Sequence, residues 1–378
     1  MVKQYLVAVL VFSLTLGASA SAQPAAAAAE PVDAAKIIAA ADRQLTDAVK
    51  RGFGGAVIIQ QGDEVLLQKG YGFADRGRKV PFTPDTIAQI GSITKSQTAA
   101  AVATLIAEGK VSLDAPVSQY VPEATEPGRS RTIAQLLSHR SGLLDSCTDD
   151  FTQQSERMLV GDCLARPLAH PVGEDHYSNM GYSALALIVQ RVTGQSWEVA
   201  VRARVWQPLG MDHIGFRFDG QEDDLFARGY QKGREEPVIS RSIAALNGND
   251  WALRGNGGLQ ASSRTMIRFL NGLLDADGSF PTAARQLVLK PVPGQVGDTQ
   301  NGFGQAFRYE PDGTLIRMGH AGSDGTFFSY LGWVAGNDVR IYLVGNNGDD
   351  EVRPLVQMVL KAARQIPPRP ASAGSERE

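Results

Sequence analysis

Ser92 and Lys95 lie three residues apart, where Gly91 closes an irregular stretch and a helix-forming run begins. Residues i and i+3 share a helix face, so a helix here makes the hydroxyl and the amine neighbours. A serine alcohol is a weak nucleophile until a base takes its proton, and a desolvated lysine can be that base. The helix start adds unpaired N–H groups and positive potential, both useful against a developing oxyanion. The bland alternative is a Ser–Lys pair on a helix surface; composition alone gives about one or two Ser-x-x-Lys matches in a chain this long.

Two further groups of residues could join this pair. In Tyr177-Ser178-Asn179, the tyrosine can act as a general base if nearby cations lower its pKa, and the asparagine can donate to a carbonyl and accept from an amide. The alternative is a loop tyrosine ahead of the helix that begins near Gly181. In His320-Ala321-Gly322, just before a strand-like run, the histidine can present a proton donor. Gly322 leaves room for a substrate backbone, and the N–H of Ser323 can point into a cleft. His213-Ile214-Gly215 has the same form, but it follows Pro208-Leu209-Gly210-Met211, which reads as a helix end rather than a sheet edge. Ser-x-x-Lys and Tyr-x-Asn each occur once, in the order Ser, Tyr, His.

The elements that must position these groups follow from the hydrophobic pattern. Ala34 to Lys50 has apolar residues at helical spacing. Gly55 to Gln60 and Val65 to Gly70 flank a Gly-Asp turn, a hairpin signal that returns with Thr326 to Val334 and Val339 to Val344. Arg353 to Gln365 reads as a closing helix. Between these ends the pattern is mainly helical, most clearly at Ala99 to Glu108, Thr132 to Ser138, Gly181 to Val192 and Arg264 to Leu274. The expected fold class is α/β in the broad sense (α+β): one mainly antiparallel sheet built from both chain ends, flanked by helices, with a mainly helical region inserted. The expected division is a sheet subdomain of residues 34–95 and 305–366 around a mainly helical subdomain of residues 96–304. The site would lie in the cleft between them.

Residues 1–22 have the features of a cleavable signal peptide: Lys3, a 12-residue apolar run from Tyr5 to Leu16, and small residues at Ala18, Ala20 and Ala22. Residues 23–33 read as a flexible linker and 367–378 as a disordered tail. A periplasmic or secreted protein with no permanent membrane span is expected. With 37 Lys+Arg against 40 Asp+Glu, net charge −3, nothing suggests a nucleic-acid partner. The two cysteines, Cys147 and Cys163, exclude a disulfide-framework protein; they could pair, but spacing does not decide it. His139, His170, His176 and His213 lack metal-ligand spacing, so structural or surface roles, no metal and no cofactor are expected. Trp197, Trp206, Trp251 and Trp333 read as core. The loop Gly255-Asn256-Gly257-Gly258 has no phosphate-binding context.

Taken jointly, Ile90-Gly91-Ser92-Ile93-Thr94-Lys95, Leu136-Leu137-Ser138-His139-Arg140-Ser141-Gly142-Leu143, Tyr177-Ser178-Asn179, Pro208-Leu209-Gly210-Met211 and Gly319-His320-Ala321-Gly322 resemble the serine β-lactamase-related hydrolases. The resemblance covers residues 35 to 365 and is strongest to the branch of class C β-lactamases, D-alanyl-D-alanine carboxypeptidases, D-aminopeptidases and esterases. It departs from the Ser-Asp-Asn and Lys-Thr-Gly pattern of class A enzymes. It implies a β-lactamase/transpeptidase-like, penicillin-binding-protein-like fold. Ser92 would be the acylated nucleophile, with Lys95 and Tyr177 moving its proton. Asn179, His320 and Gly322 would contact substrate, and the N–H groups of Ser92 and Ser323 would form the oxyanion hole. His320 stands where many β-lactamases carry lysine, which argues against an efficient β-lactamase and leaves carboxypeptidase, D-aminopeptidase and esterase activities open. The expected substrate is a small molecule or peptide, a D-residue peptide (carboxypeptidase- or D-aminopeptidase-like) first and a small ester next. A class C-like β-lactamase and a non-catalytic binder of cell-wall peptide or a protein partner are the alternatives.

Overall fold

The computed structural model describes residues 33–150, 152–216, 223–236 and 251–369. The expected signal peptide, all of the linker except Asp33, and the tail beyond Arg369 lie outside the described residues. Asp33 starts helix α1 (Ala34–Val49), its carboxylate accepting from the N–H of Ala35. The hairpin signal after it becomes strands β1 (Gly55–Gln61) and β2 (Glu64–Tyr71), paired antiparallel. A small pair, β3 (Phe73–Asp75) and β4 (Val80–Pro81), and a short strand β5 (Ile87–Gln89) lead to Ser92.

Helix α2 (Thr94–Ala107) follows, buried on every side from Thr94 to Leu105. That explains its Ala-rich, weakly amphipathic sequence: a helix with no wet face needs no polar stripe, and small side chains let neighbours approach. Helix α3 (Ile133–Leu137) packs on α4 (Asn179–Thr193), which in turn packs beside α2. Strands β6 (Ile214–Gly215), β7 (Gly229–Gln231), β8 (Arg234–Glu236) and β9 (Gln260–Ser262) then precede helix α5 (Ser263–Leu274). Strands β5, β9 and β6 form a three-stranded sheet, with β9 in the middle.

The chain returns through β10 (Thr299–Asn301), β11 (Ala306–Tyr309), β12 (Leu315–Ser323), β13 (Phe328–Val334) and β14 (Val339–Gly345), and ends in α6 (Asp349–Gln365). The main sheet has seven strands in the order β10-β11-β12-β13-β14-β1-β2, all antiparallel. Its closure is the β1–β14 pairing, Gly55 opposite Gly345 through Gln61 opposite Val339. Both chain ends therefore build one sheet. One face lies on α1 and α6 over a core of Leu45, Val57, Ile341 and Val359; the other covers the helical region over Ile58, Val102, Leu187 and Phe269. Burial on both faces gives β1 and β14 their continuous apolar runs.

The sheet reaches back to Thr299, six residues before the boundary expected at 305. A three-residue strand leaves no alternation to read, so β10 is silent in the sequence. No helix of the described residues is long and apolar enough to cross a membrane.

Candidate active site

Gly91 makes the turn that presents Ser92. Its φ is +50°, and a Cβ there would lie 2.6 Å from the backbone nitrogen of Ser323. Only glycine combines that conformation with that approach. The turn thereby brings Ser92 against the end of β12, with the Ser323 N–H beside it. The carbonyl of Ile90 accepts from the Ser329 hydroxyl at 3.0 Å, and a Cβ on Gly322 would fall 1.9 Å from the same carbonyl oxygen. The loop and the strand edge are thus in close contact without side chains between them.

Lys95 lies one turn further on, with none of its surface exposed. Its Nζ contacts Asn179 Oδ1 at 2.5 Å, the Asn256 carbonyl at 2.8 Å and Ser92 Oγ at 3.2 Å. Two of these partners can only accept, whereas the third, a hydroxyl, can also donate. A neutral amine has two N–H groups and one lone pair. Filling both acceptors therefore leaves its lone pair aimed at the Ser92 proton. Burial pushes Lys95 down to about 7, against the opposing pull of Asp145 and Asp150.

Asn179 opens α4 behind the cap residue Ser178, whose hydroxyl accepts from the Gly181 N–H. Its amide is held from the far side: Nδ2 donates to Asp145 Oδ1 at 2.9 Å, which orients Oδ1 toward Lys95. Tyr177, one residue before the cap, has its phenol within electrostatic reach of the Ser92 side chain. Its ring stacks on His139 at 4.4 Å and lies 4.7 Å from Lys95 Nζ, while 42% of its surface stays open. Burial raises the phenol above its ordinary range; the Ser92 hydroxyl works against this and Asp145 adds to it. The sequence reading made Tyr177 a base on condition that cations lowered its pKa. Burial acts in the opposite direction and favours the protonated phenol.

His320 stands on β12 with its ring centroid 6.5 Å from that of Tyr177. Its Nδ1 donates to the Ala321 carbonyl at 2.6 Å, because a carbonyl can only accept, and Nε2 is left as an acceptor. Burial, aided by Lys95, holds it down at about 4, so it is neutral at physiological pH. The structure thus gathers Ser92, Lys95, Tyr177, Asn179, His320, Gly322 and Ser323 in one place. Cys147 and Cys163 are joined by a disulfide in the loop that carries Asp145. Pro208-Leu209-Gly210-Met211 does close a helical stretch, the Met211 N–H returning to the Trp206 carbonyl, and His213 then precedes strand β6 in the small sheet, its carbonyl accepting from the Ser262 N–H. It is no part of the large sheet's edge.

Three contributors to this geometry were not singled out from sequence. His139, read as structural or surface, adopts φ +59° and sits buried between Tyr177 and Tyr182. Its Nδ1 accepts from the Ser178 N–H at 3.2 Å, and burial, then Lys95 and His320, hold it neutral. The Asn256 carbonyl comes from the glycine-rich loop that carried no motif meaning. Asp145 had no signal beyond lying near Cys147.

The pattern of the family described as Beta-lactamase matches residues 41–361. Esterase EstB of Burkholderia gladioli is 29% identical over 319 residues, 74% of this chain and 80% of that protein. Protein flp of Staphylococcus aureus (strain MRSA252) is 34% identical over 197 residues, 50% of this chain and 40% of that protein. The class C beta lactamase from Rhodobacter sphaeroides superimposes with a TM-score of 0.72 at 21% identity, covering 86% of this chain and 98% of that one. That likeness is one of fold, with mixed helices around a large antiparallel sheet.

Proposed function

The chain belongs to the β-lactamase family, and from that membership we propose that it is an exported serine hydrolase cleaving a carboxylic amide or ester through an acyl-enzyme on Ser92. The observation that carries the reading is the environment of Lys95: a fully buried amine with two obligate acceptors and one hydroxyl as partners. A binding protein has no use for such a base beside a nucleophile. Ser92 Oγ attacks the carbonyl carbon while its proton passes to Lys95 Nζ. The N–H groups of Ser92 and Ser323 receive the oxyanion. As the intermediate collapses, the scissile bond breaks and Tyr177 gives its proton to the leaving group; Lys95 returns a proton to Tyr177. Water then attacks the acyl-enzyme by the same route in reverse. Export rests on the character of residues 1–22 and on the disulfide, which suits an oxidising compartment.

Neutral His320 offers no fixed cation to a carboxylate next to the scissile bond. This favours a D-residue peptide whose cleaved amide is followed by further residues, over a β-lactam or a free C-terminal dipeptide. A small ester is the second reading, favoured by the likeness to Esterase EstB. The test is a panel of p-nitrophenyl esters, D-amino-acid amides, D-Ala-D-Ala peptides, longer D-residue peptides and nitrocefin, run on wild type and Ser92→Ala. Turnover surviving in Ser92→Ala refutes the mechanism. Absence of any fluorophosphonate adduct on Ser92 in the wild type supports the non-catalytic alternative.

A further inference from the structure

Strand β12 serves two surfaces. Residues an odd number apart face opposite sides of a sheet. Met318 joins the core under the helical region, whereas Ala321 packs with the α1 and α6 side. His320 therefore faces the catalytic side and Arg317 faces α6. The cleft beside the catalytic residues, of about 430 Å³, reaches both: Tyr177 and His320 line one end, Arg317 and Gln357 the other. It passes round the end of β11, whose last partnership with β12 is Ala306 opposite Gly319. Arg317 and Gln357 also line a second groove of about 580 Å³, together with Arg308, Lys361 and Arg364. The two hollows thus share Arg317 and Gln357 in their walls.

The second groove is lined by four cations and no carboxylate, in a chain whose net charge is −3. Arg308 is paired with Asp298 at 3.1 Å and Arg364 more loosely with Glu310 at 3.8 Å. Among the described residues, no carboxylate lies within ion-pair distance of Arg317 or Lys361. Arg317 is nonetheless held in place, because its Nη1 donates to Tyr330 Oη at 3.0 Å. Tyr330 is only 5% exposed. Its ring occupies a slot over Gly319 and Gly332, which face each other across β12 and β13; a Cβ on either would lie 2.5 Å from Tyr330 Oη. Two glycines thus make space for a buried phenol that anchors a guanidinium. A guanidinium oriented in this way and lacking an anionic partner is a preorganised receptor for a carboxylate.

We infer that this groove binds the acidic arm of an extended peptide substrate, placing a carboxylate on Arg317 while the scissile bond lies at Ser92. The inference deepens the proposed hydrolase reading and rests on it for the position of the scissile bond. Arg317 is six residues from Ser323 along β12, so the arm spans roughly 20 Å, or about six extended residues. The cation missing at the third motif is in this sense displaced along the strand.

Binding and turnover separate the two claims. In the Ser92→Ala protein, a fluorescent D-residue peptide with two glutamates about six residues from the cleavable amide should bind about tenfold more tightly than its glutamine isostere. That preference should fall in 0.5 M NaCl and disappear in Arg317→Ala and Arg317→Gln. Tyr330→Phe should weaken it partly. The circular dichroism spectrum and melting temperature of Arg317→Ala should match those of the parent protein, which controls for folding. Equal affinity for the two peptides, or an unchanged preference in Arg317→Ala, overturns the inference. Loss of turnover on every substrate with the glutamate preference intact would overturn the hydrolase reading instead and leave the anion site standing.

Discussion

Replacing Asp145 by asparagine tests the idea that a neutral lysine is the working base. Asp145 reaches Lys95 through one side chain: Nζ to Asn179 Oδ1 is 2.5 Å, and Asn179 Nδ2 to Asp145 Oδ1 is 2.9 Å. Adding the width of the amide puts the two charges roughly 7 Å apart, worth about 2 kcal/mol at an effective dielectric of 20. The carboxylate favours the ammonium, so removing it lowers the Lys95 pKa. In the wild type, kcat/KM for a p-nitrophenyl ester should rise with pH through a limb near 7, where burial sets Lys95. There the neutral amine is about half the population, roughly a thousandfold more than an ordinary lysine supplies. His320 and His139 are held neutral, and Tyr177 and Tyr182 are pushed upward, so this limb belongs to Lys95. In Asp145→Asn the limb should move down by about one to two pH units, since each unit corresponds to about 1.4 kcal/mol. Above the limb, kcat/KM should fall less than about tenfold, because asparagine still offers an acceptor to Asn179. A limb that stays in place, or moves up, refutes the neutral-lysine argument.

Tyr177→Phe should lower kcat about 10²- to 10⁴-fold on an amide and much less on a p-nitrophenyl ester, whose leaving group needs no proton; equal losses on both would contradict a donor role. Gly91→Ala should cut kcat at least a hundredfold with the fold kept by circular dichroism, because its Cβ displaces the Ser323 N–H from the oxyanion position. His320→Lys should raise the preference for substrates carrying a carboxylate beside the scissile bond, read as kcat/KM for D-Ala-D-Ala peptides relative to their amides. Cys147→Ser with Cys163→Ser removes a loop closed over 16 residues and should cost about 3 kcal/mol in urea unfolding.

The local steps of this architecture were open to reading. The i, i+3 spacing of Ser92 and Lys95, the two hairpins and the closing helix follow from period and turn residues, and each depends on neighbours in sequence. The contributors that stayed hidden are those whose partners are set by folding. His139 acts on Ser178, 39 positions away, through a left-handed backbone position that a histidine seldom takes. Asn256 contributes a carbonyl, and every residue has one. Asp145 matters only because α4 starts beside it. The sign of the Tyr177 shift depended on how deeply the phenol is desolvated, a property of the fold and not of the residue type.

The contact of the Ser92 turn with β12 and β13 also governs when the proposed site can assemble. A polypeptide made amino-end first exposes Ser92, the proposed nucleophile, about 230 residues before Ser323, the proposed second oxyanion donor. Ile90 and Gly91 cannot find Ser329 and Ser323 until almost the whole chain has emerged. Such distant partnerships form late and slowly. A nascent or carboxy-terminally clipped chain therefore holds an alcohol and an amine but no assembled crevice. The proposed reactivity would wait for the strands that carry Ser323 and Ser329.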